Sequence, residues 1–181
     1  MAVPSQMVPL GTEMPDFALP DVTGATVRSA DFAGAPALLV AFLCNHCPYV
    51  RHLEIGLGQV VARSTGLAAV GVCSNDAHAY PDDRPEALAE QSARAGWTFP
   101  YLVDADQRLA RDVRAACTPD FFLYDAQRRL AYRGAFDPST PGNGLPVTGE
   151  SLGAAIGHVL AGRPVPEPHA PSLGCSIKWR V

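Results

Sequence analysis

At 181 residues, 48% of them hydrophobic and 18% charged, the chain has the size and composition of one soluble globular domain with a full core. Its formal net charge of −4 gives no electrostatic reason to expect nucleic acid or an anionic membrane as partner. The longest apolar stretch, Ala35 to Cys44, falls well short of the ~20 residues that span a bilayer, and Met1 to Pro15 lacks the basic start and apolar run of a signal peptide, so the expected location is cytoplasmic.

Asp16 to Leu19, a turn at Val22-Thr23-Gly24-Ala25, and Thr26 to Arg28 read as a short leading β-hairpin. After the break at Gly34-Ala35-Pro36, Leu38 to Leu43 is wholly apolar and predicts a central strand covered on both faces. Val50, Leu53, Leu57, Val60 and Val61 recur at helical spacing from Pro48 onward, with Gly66 as the stop. Gly56 and Gly58 inside that helix each cost about 1 kcal/mol relative to Ala, which predicts close packing or a bend. Leu67 to Cys73 is a second buried strand, and Arg84 to Ala95 a helix closed by Gly96. Tyr101 to Val103 reads as a short strand, followed by a helix over Asp106 to Arg114 capped by Asp104 or Asp106. Phe121 to Tyr124 and Leu130 to Arg133 form a hairpin around Asp125 to Arg128, and Thr148 to Leu160 is the last helix, with Thr148 as its cap. Strands alternating with helices indicate a parallel core, to which the hairpin adds antiparallel strands. The expectation is a mixed α/β sheet flanked by helices, one domain over 1–181 ending in a Pro-rich tail, 163–181.

Chemistry concentrates in Cys44-Asn45-His46-Cys47-Pro48. Two cysteines three apart on a helical turn can close a disulfide. The first, at a helix mouth, would face unpaired backbone N–H groups that favour a thiolate. A lowered thiol pKa beside a partner thiol suits disulfide exchange. The pair can also be read as half a zinc site completed by His46 and His52, or as inert thiols, but no second C-x-x-C or C-x-x-H supplies the rest of a tetrahedral set. Five cysteines in a chain this long do not make a disulfide framework.

With Pro15-Asp16-Phe17-Ala18-Leu19 before the hairpin, the C-x-x-C after the first core strand, and Thr118-Pro119 before Phe121-Phe122-Leu123-Tyr124, the chain resembles thioredoxin-fold proteins of the redoxin group (AhpC/TSA and TlpA-like). It looks most like a bacterial thioredoxin-like subgroup with the motifs at Cys44 to Val50, Ser74 to Asp76, Phe99 to Asp104, Thr118 to Phe121 and Gly174 to Trp179. The resemblance implies a thioredoxin fold and a thiol–disulfide oxidoreductase without metal or organic cofactor. Cys44 would be the attacking thiolate and Cys47 the resolving thiol, together forming the redox-active disulfide, with His46 stabilising the thiolate and making the pair less reducing than thioredoxin's. Pro119 would be cis, and Thr118 with Pro119 would bind an extended substrate. Implied partners are protein or small-molecule disulfides and a cellular dithiol reductant. No Trp precedes Cys44, and no buried acid is recognisable among Leu38 to Leu43 as the proton acceptor of Cys47. Ala37 and Ala41 stand where peroxiredoxins carry Pro and Thr relative to the cysteine.

Two rival functions stay open: a thiol peroxidase, and a non-enzymatic binding or metal-binding module on the same fold. Cys117, next to Thr118-Pro119, and Cys175, in the tail, are candidate auxiliary thiols. Cys73, ending a strand, reads as a core residue. Ser74-Asn75-Asp76 reads as a cap or turn at the sheet's carboxyl end, and the loop from Asp137 to Pro146 as either a mobile segment or a lid.

Overall fold

The computed structural model describes residues 2–180. In chain order the elements are β1 (Ala2–Pro4), β2 (Ala18–Pro20), β3 (Thr26–Arg28), β4 (Ala37–Phe42), α1 (Pro48–Arg63), β5 (Leu67–Cys73), α2 (Pro85–Ala95), β6 (Tyr101–Val103), α3 (Arg108–Val113), β7 (Cys117–Thr118), β8 (Asp120–Tyr124), β9 (Leu130–Gly134), α4 (Glu150–Leu160) and β10 (Leu173–Ser176). Single 3₁₀ turns occupy Ser29–Phe32 and Pro81–Asp83. None of the described helices is long and apolar enough to cross a membrane.

The main sheet runs β6-β5-β4-β8-β9. β4 pairs in parallel with β5 and antiparallel with β8, so it lies at the centre. That position explains its uninterrupted apolar sequence. Leu39 and Ala41 face one core, shared with α1, α2 and α4, while Leu38, Val40 and Phe42 face the other, shared with α3 and the N-terminal segment. Both faces are dry, and no residue of β4 is more than 1% exposed. The expected hairpins form as β2-β3 and β8-β9.

α1 shows why two glycines are tolerated in a helix interior. A Cβ on Gly58 would lie 2.9 Å from the Ala95 carbonyl at the end of α2, and one on Gly56 2.9 Å from Val147 Cγ1. The glycines allow close packing that Ala would obstruct. At the start of α3, the Asp104 carboxylate accepts hydrogen bonds from Leu109 and Ala110 N–H, and Asp106 from Arg108 N–H. Thr148 supports α4 from one position earlier than expected: Gly149 is the N-cap, and Thr148 Oγ1 accepts from Glu150 N–H.

The Pro-rich tail is the main departure from the sequence reading. Part of it is strand β10, the middle of a second sheet ordered β1-β10-β7. Four residues that follow a run of prolines carry no periodic signal, and their partners lie more than fifty positions away at either end of the sheet: Ala2 and Thr118 both pair with Cys175. The loop after Asp137 is stitched at its base. The Asp137 carboxylate accepts from Ser139 N–H and hydroxyl and from Thr148 and Gly149 N–H.

Candidate active site

β4 and β5 run in register from Ala37↔Leu67 to Phe42↔Val72, so Cys44 and Ser74 emerge at the same carboxyl edge, where sites gather in open α/β sheets. Residues 43–47 are not helical; α1 begins at Pro48, and Cys47 is its N-cap with extended backbone. Pro at the first helical position needs no N–H partner and arrives with its φ preset. The helix mouth therefore belongs to Cys47. The sequence reading put Cys44 there, but Pro48 starts the helix one turn later and leaves Cys44 in the strand-to-helix link.

The link is pinned from several elements. Asn45 N–H donates to Asp83 Oδ1 (2.8 Å), and its side-chain amide donates to Asp82 and Ala87 carbonyls. From α2, Gln91 Nε2 donates to the Cys44 carbonyl (3.1 Å), and Arg94 Nη2 to Asn45 Oδ1 (3.1 Å). Arg94 is itself held by Glu54 of α1, and Arg51 Nε donates to the Asn45 carbonyl.

Both sulfurs converge on Thr118. Cys44 Sγ is 3.2 Å from Thr118 Oγ1, and Cys47 Sγ is 3.1 Å from the Thr118 carbonyl oxygen. Thr118-Pro119 is cis, as the resemblance implied, and Glu167-Pro168 is a second cis peptide. Both cysteines are free and fully buried. The two thiols shift in opposite directions. At Cys47 the neighbouring Cys44 thiol lowers the pKa, burial opposes this, and Cys175 and the Val50 N–H lower it further. The Thr118 carbonyl accepts from the Cys47 thiol and opposes its ionisation. Cys44 moves the opposite way, pushed up by the neighbouring Cys47 sulfur, by burial and by the Asp83 charge.

His46 is half-buried. Its Nδ1 lies 2.8 Å from Asp83 Oδ2, and its ring stacks on Tyr80 at 5.2 Å between centroids. Asp83 beside it raises its pKa against the opposing effect of burial. For Asp83 itself, burial pushes the pKa up but is outweighed by His46, the Asn75 amide and the Asn45 N–H, leaving it lowered. A His46 ring nitrogen, an Asp83 oxygen and Cys44 Sγ lie within 4.8 Å of one another, a set that can offer three metal ligands. The Asp83 oxygens are already engaged by Asn45, Asn75 and His46. His52, the other histidine of the zinc reading, points instead to Ser139 Oγ at 3.0 Å.

Of the remaining thiols, Cys73 is buried at the end of β5, and burial raises its pKa. Cys117 is likewise buried and raised, with its thiol directed at the Pro119 carbonyl. Cys175 is the partly exposed one.

Two buried carboxylates escaped the sequence reading. Asp83 comes from a 3₁₀ turn with no local motif, and only the fold sets it beside Cys44. Asp120 directly follows Pro119 within a stretch already singled out. Ala116 N–H donates to its Oδ2 at 3.1 Å, its Oδ1 has no partner among the described residues, and burial pushes its pKa up to about 7. Asn75, read as a turn residue, supports the site: its amide donates to Asp83 Oδ2, and its Oδ1 accepts from Lys178 N–H.

A sequence profile of the AhpC/TSA family matches residues 10–133. A crystal structure of an uncharacterized conserved protein from Geobacillus kaustophilus is 46% identical, with a TM-score of 0.96 over 99% of this chain and 97% of that one. A hypothetical protein from Sinorhizobium meliloti is also 46% identical, with a TM-score of 0.96 over 98% of each chain. A secreted Mycobacterium tuberculosis disulfide oxidoreductase homologous to E. coli DsbE is 18% identical, with a TM-score of 0.62 over 78% of this chain and 94% of that one. A search of curated proteins finds no match. The architecture is a thioredoxin fold.

Proposed function

The chain belongs to the AhpC/TSA family, and from that premise we propose that it is a thiol–disulfide oxidoreductase working through Cys44 and Cys47. One observation carries the reading: two free thiols three positions apart meet on the backbone and side chain of Thr118, and one of them caps a helix. The resting nucleophile is the Cys47 thiolate. It attacks one sulfur of a substrate disulfide, forming a mixed disulfide on Cys47 and releasing the other half as a thiol. Cys44 then loses its proton and attacks Cys47 Sγ, which releases the second thiol and closes the Cys44–Cys47 disulfide. The His46–Asp83 pair, beside Cys44 Sγ, is the group placed to take that proton. A dithiol reductant restores the pair, in a compartment we take to be the cytoplasm. The Thr118-Pro119 edge is the proposed docking site for an extended substrate segment, and β10 covers it in the resting structure.

The test is insulin-disulfide reduction with dithiothreitol as the recycling reductant. Wild type turns over, Cys47→Ser is inactive, and Cys44→Ser made together with Cys175→Ser, so that no other thiol can resolve it, accumulates a mixed disulfide on Cys47 detectable by intact mass. Trapping by Cys47→Ser rather than Cys44→Ser would reverse the two roles. Consumption of peroxide much faster than of disulfide would replace the reading by a peroxidase, with sulfenic acid on the attacking cysteine.

A further inference from the structure

β10 lies directly on the candidate site. It pairs antiparallel with β7, with Cys175 opposite Thr118 and Ser176 opposite Cys117. The approach is so close that a Cβ on Gly174 would fall 2.0 Å from the Thr118 carbonyl oxygen. That same oxygen is 3.1 Å from Cys47 Sγ. Cys175 therefore lands against the cluster that holds Cys44 and Cys47, close enough to Cys47 to lower its pKa. Cys44, Cys47, Cys73 and Cys117 are buried, whereas Cys175 is partly exposed. Three sulfurs thus run from the interior to the surface, with Cys47 in the middle.

We infer that Cys175 is a third redox thiol, which moves the disulfide from the buried Cys44–Cys47 pair to a Cys47–Cys175 pair that an external dithiol can reach. The inference rests on the Cys44–Cys47 exchange proposed above. The Cys175 thiolate attacks Cys47 Sγ, the Cys44–Cys47 bond breaks, the Cys47–Cys175 bond forms, and Cys44 leaves as a thiolate that takes up a proton. No electrons are gained or lost in this step. A dithiol reductant then attacks Cys175 Sγ, releasing the Cys47 thiolate. Its second thiol closes its own disulfide and releases Cys175, so two electrons pass to the protein. Burial and then the neighbouring Cys47 sulfur hold the Cys175 thiol up in the reduced protein. Once Cys47 is in a disulfide its negative charge is gone, and the nearby Lys178, which lowers the Cys175 pKa, acts without that opposition. Cys175 thus gains nucleophilicity in the oxidation state that needs it.

The experiment is disulfide mapping of the full chain. Reduced protein is treated with one equivalent of diamide, quenched in acid, blocked with N-ethylmaleimide and digested with trypsin. Cys44 and Cys47 share the peptide from Ser29 to Arg51, and Cys175 lies in the peptide from Gly134 to Lys178. Wild type is expected to give the internal Cys44–Cys47 disulfide together with a cross-link between the two peptides, and Cys44→Ser the cross-link alone. In dithiothreitol-driven turnover, Cys175→Ser is expected to slow the reductive half-reaction about tenfold, since it removes the accessible sulfur. Absence of the cross-link from both wild type and Cys44→Ser overturns the inference, while disulfide turnover by the wild type then leaves the Cys44–Cys47 reading standing. A wild type that forms no Cys44–Cys47 disulfide and reduces no substrate sinks both.

Discussion

Replacing Gly174 with Ala should uncover the buried thiols without touching them. The new Cβ would sit 2.0 Å from the Thr118 carbonyl oxygen and 2.5 Å from its carbon. These are backbone atoms, so no rotamer change relieves the clash. To reach an ordinary C···O contact of about 3.3 Å, β10 must retreat by roughly 1 Å. A shift of that size carries hydrogen bonds beyond their usual limit of about 3.2 Å, and it acts on the pairing of Cys175 with Thr118 and Ser176 with Cys117. Two ladder bonds at a net ~1 kcal/mol each make the strand about 2 kcal/mol easier to lift. That raises the open population by about 30-fold. The assay is the N-ethylmaleimide labelling rate of Cys44 and Cys47 in reduced protein, followed by mass spectrometry, with amide exchange at Cys175 as the structural control. Both rates should rise by about that factor. A variant whose Cys175 amide exchanges faster while its thiols still label at the wild-type rate would refute the claim that β10 is the cover, and one whose amide stays protected would refute the claim that the clash lifts β10.

The other expectations concern the two carboxylates. Asp83→Asn removes the charge that faces His46 at 2.8 Å and should return the His46 pKa downward toward its ordinary value, read by NMR titration, at a stability cost of about 2 kcal/mol. The Asp83 pKa is lowered in the fold, so its contribution is present above the unfolded value near 3.8 and is lost as pH falls through the folded one. The His46 pKa is raised, so its contribution is full below 6.5 and is lost as pH rises through the folded value. Denaturant midpoints of Asp83→Asn should lack both slopes. Asp120 goes the other way. A carboxyl whose pKa is raised to about 7 stabilises the fold fully below its unfolded value, and that contribution is lost as pH rises through about 7. Between pH 4 and pH 8, the stability of Asp120→Asn relative to wild type should rise by about 2–4 kcal/mol. A pH-independent difference would show that Asp120 ionises as freely in the fold as in the unfolded chain.

Much of this protein was legible in its sequence wherever the determining interactions are local or periodic. The apolar runs at Leu38 to Leu43 and Leu67 to Cys73, the helical repeat after Pro48 and the two hairpins follow from side-chain alternation and turn chemistry, and the structure contains them. The Cys44/Cys47 spacing and Thr118-Pro119 stand out in the sequence as a candidate site, and the fold brings them together. What the tertiary structure alone decided is what surrounds the two sulfurs. Pro48 fixes the helix start and with it the Val50 N–H beside Cys47, but Cys175, which also lowers the Cys47 pKa, is brought there only by the fold. Asp83 reaches Cys44 from a turn nearly forty residues on, through packing of α2 against the link. β10 becomes a strand because β1 and β7 supply the partners that its own sequence cannot name, for strand pairing is a long-range hydrogen-bond condition and leaves no trace in a four-residue window.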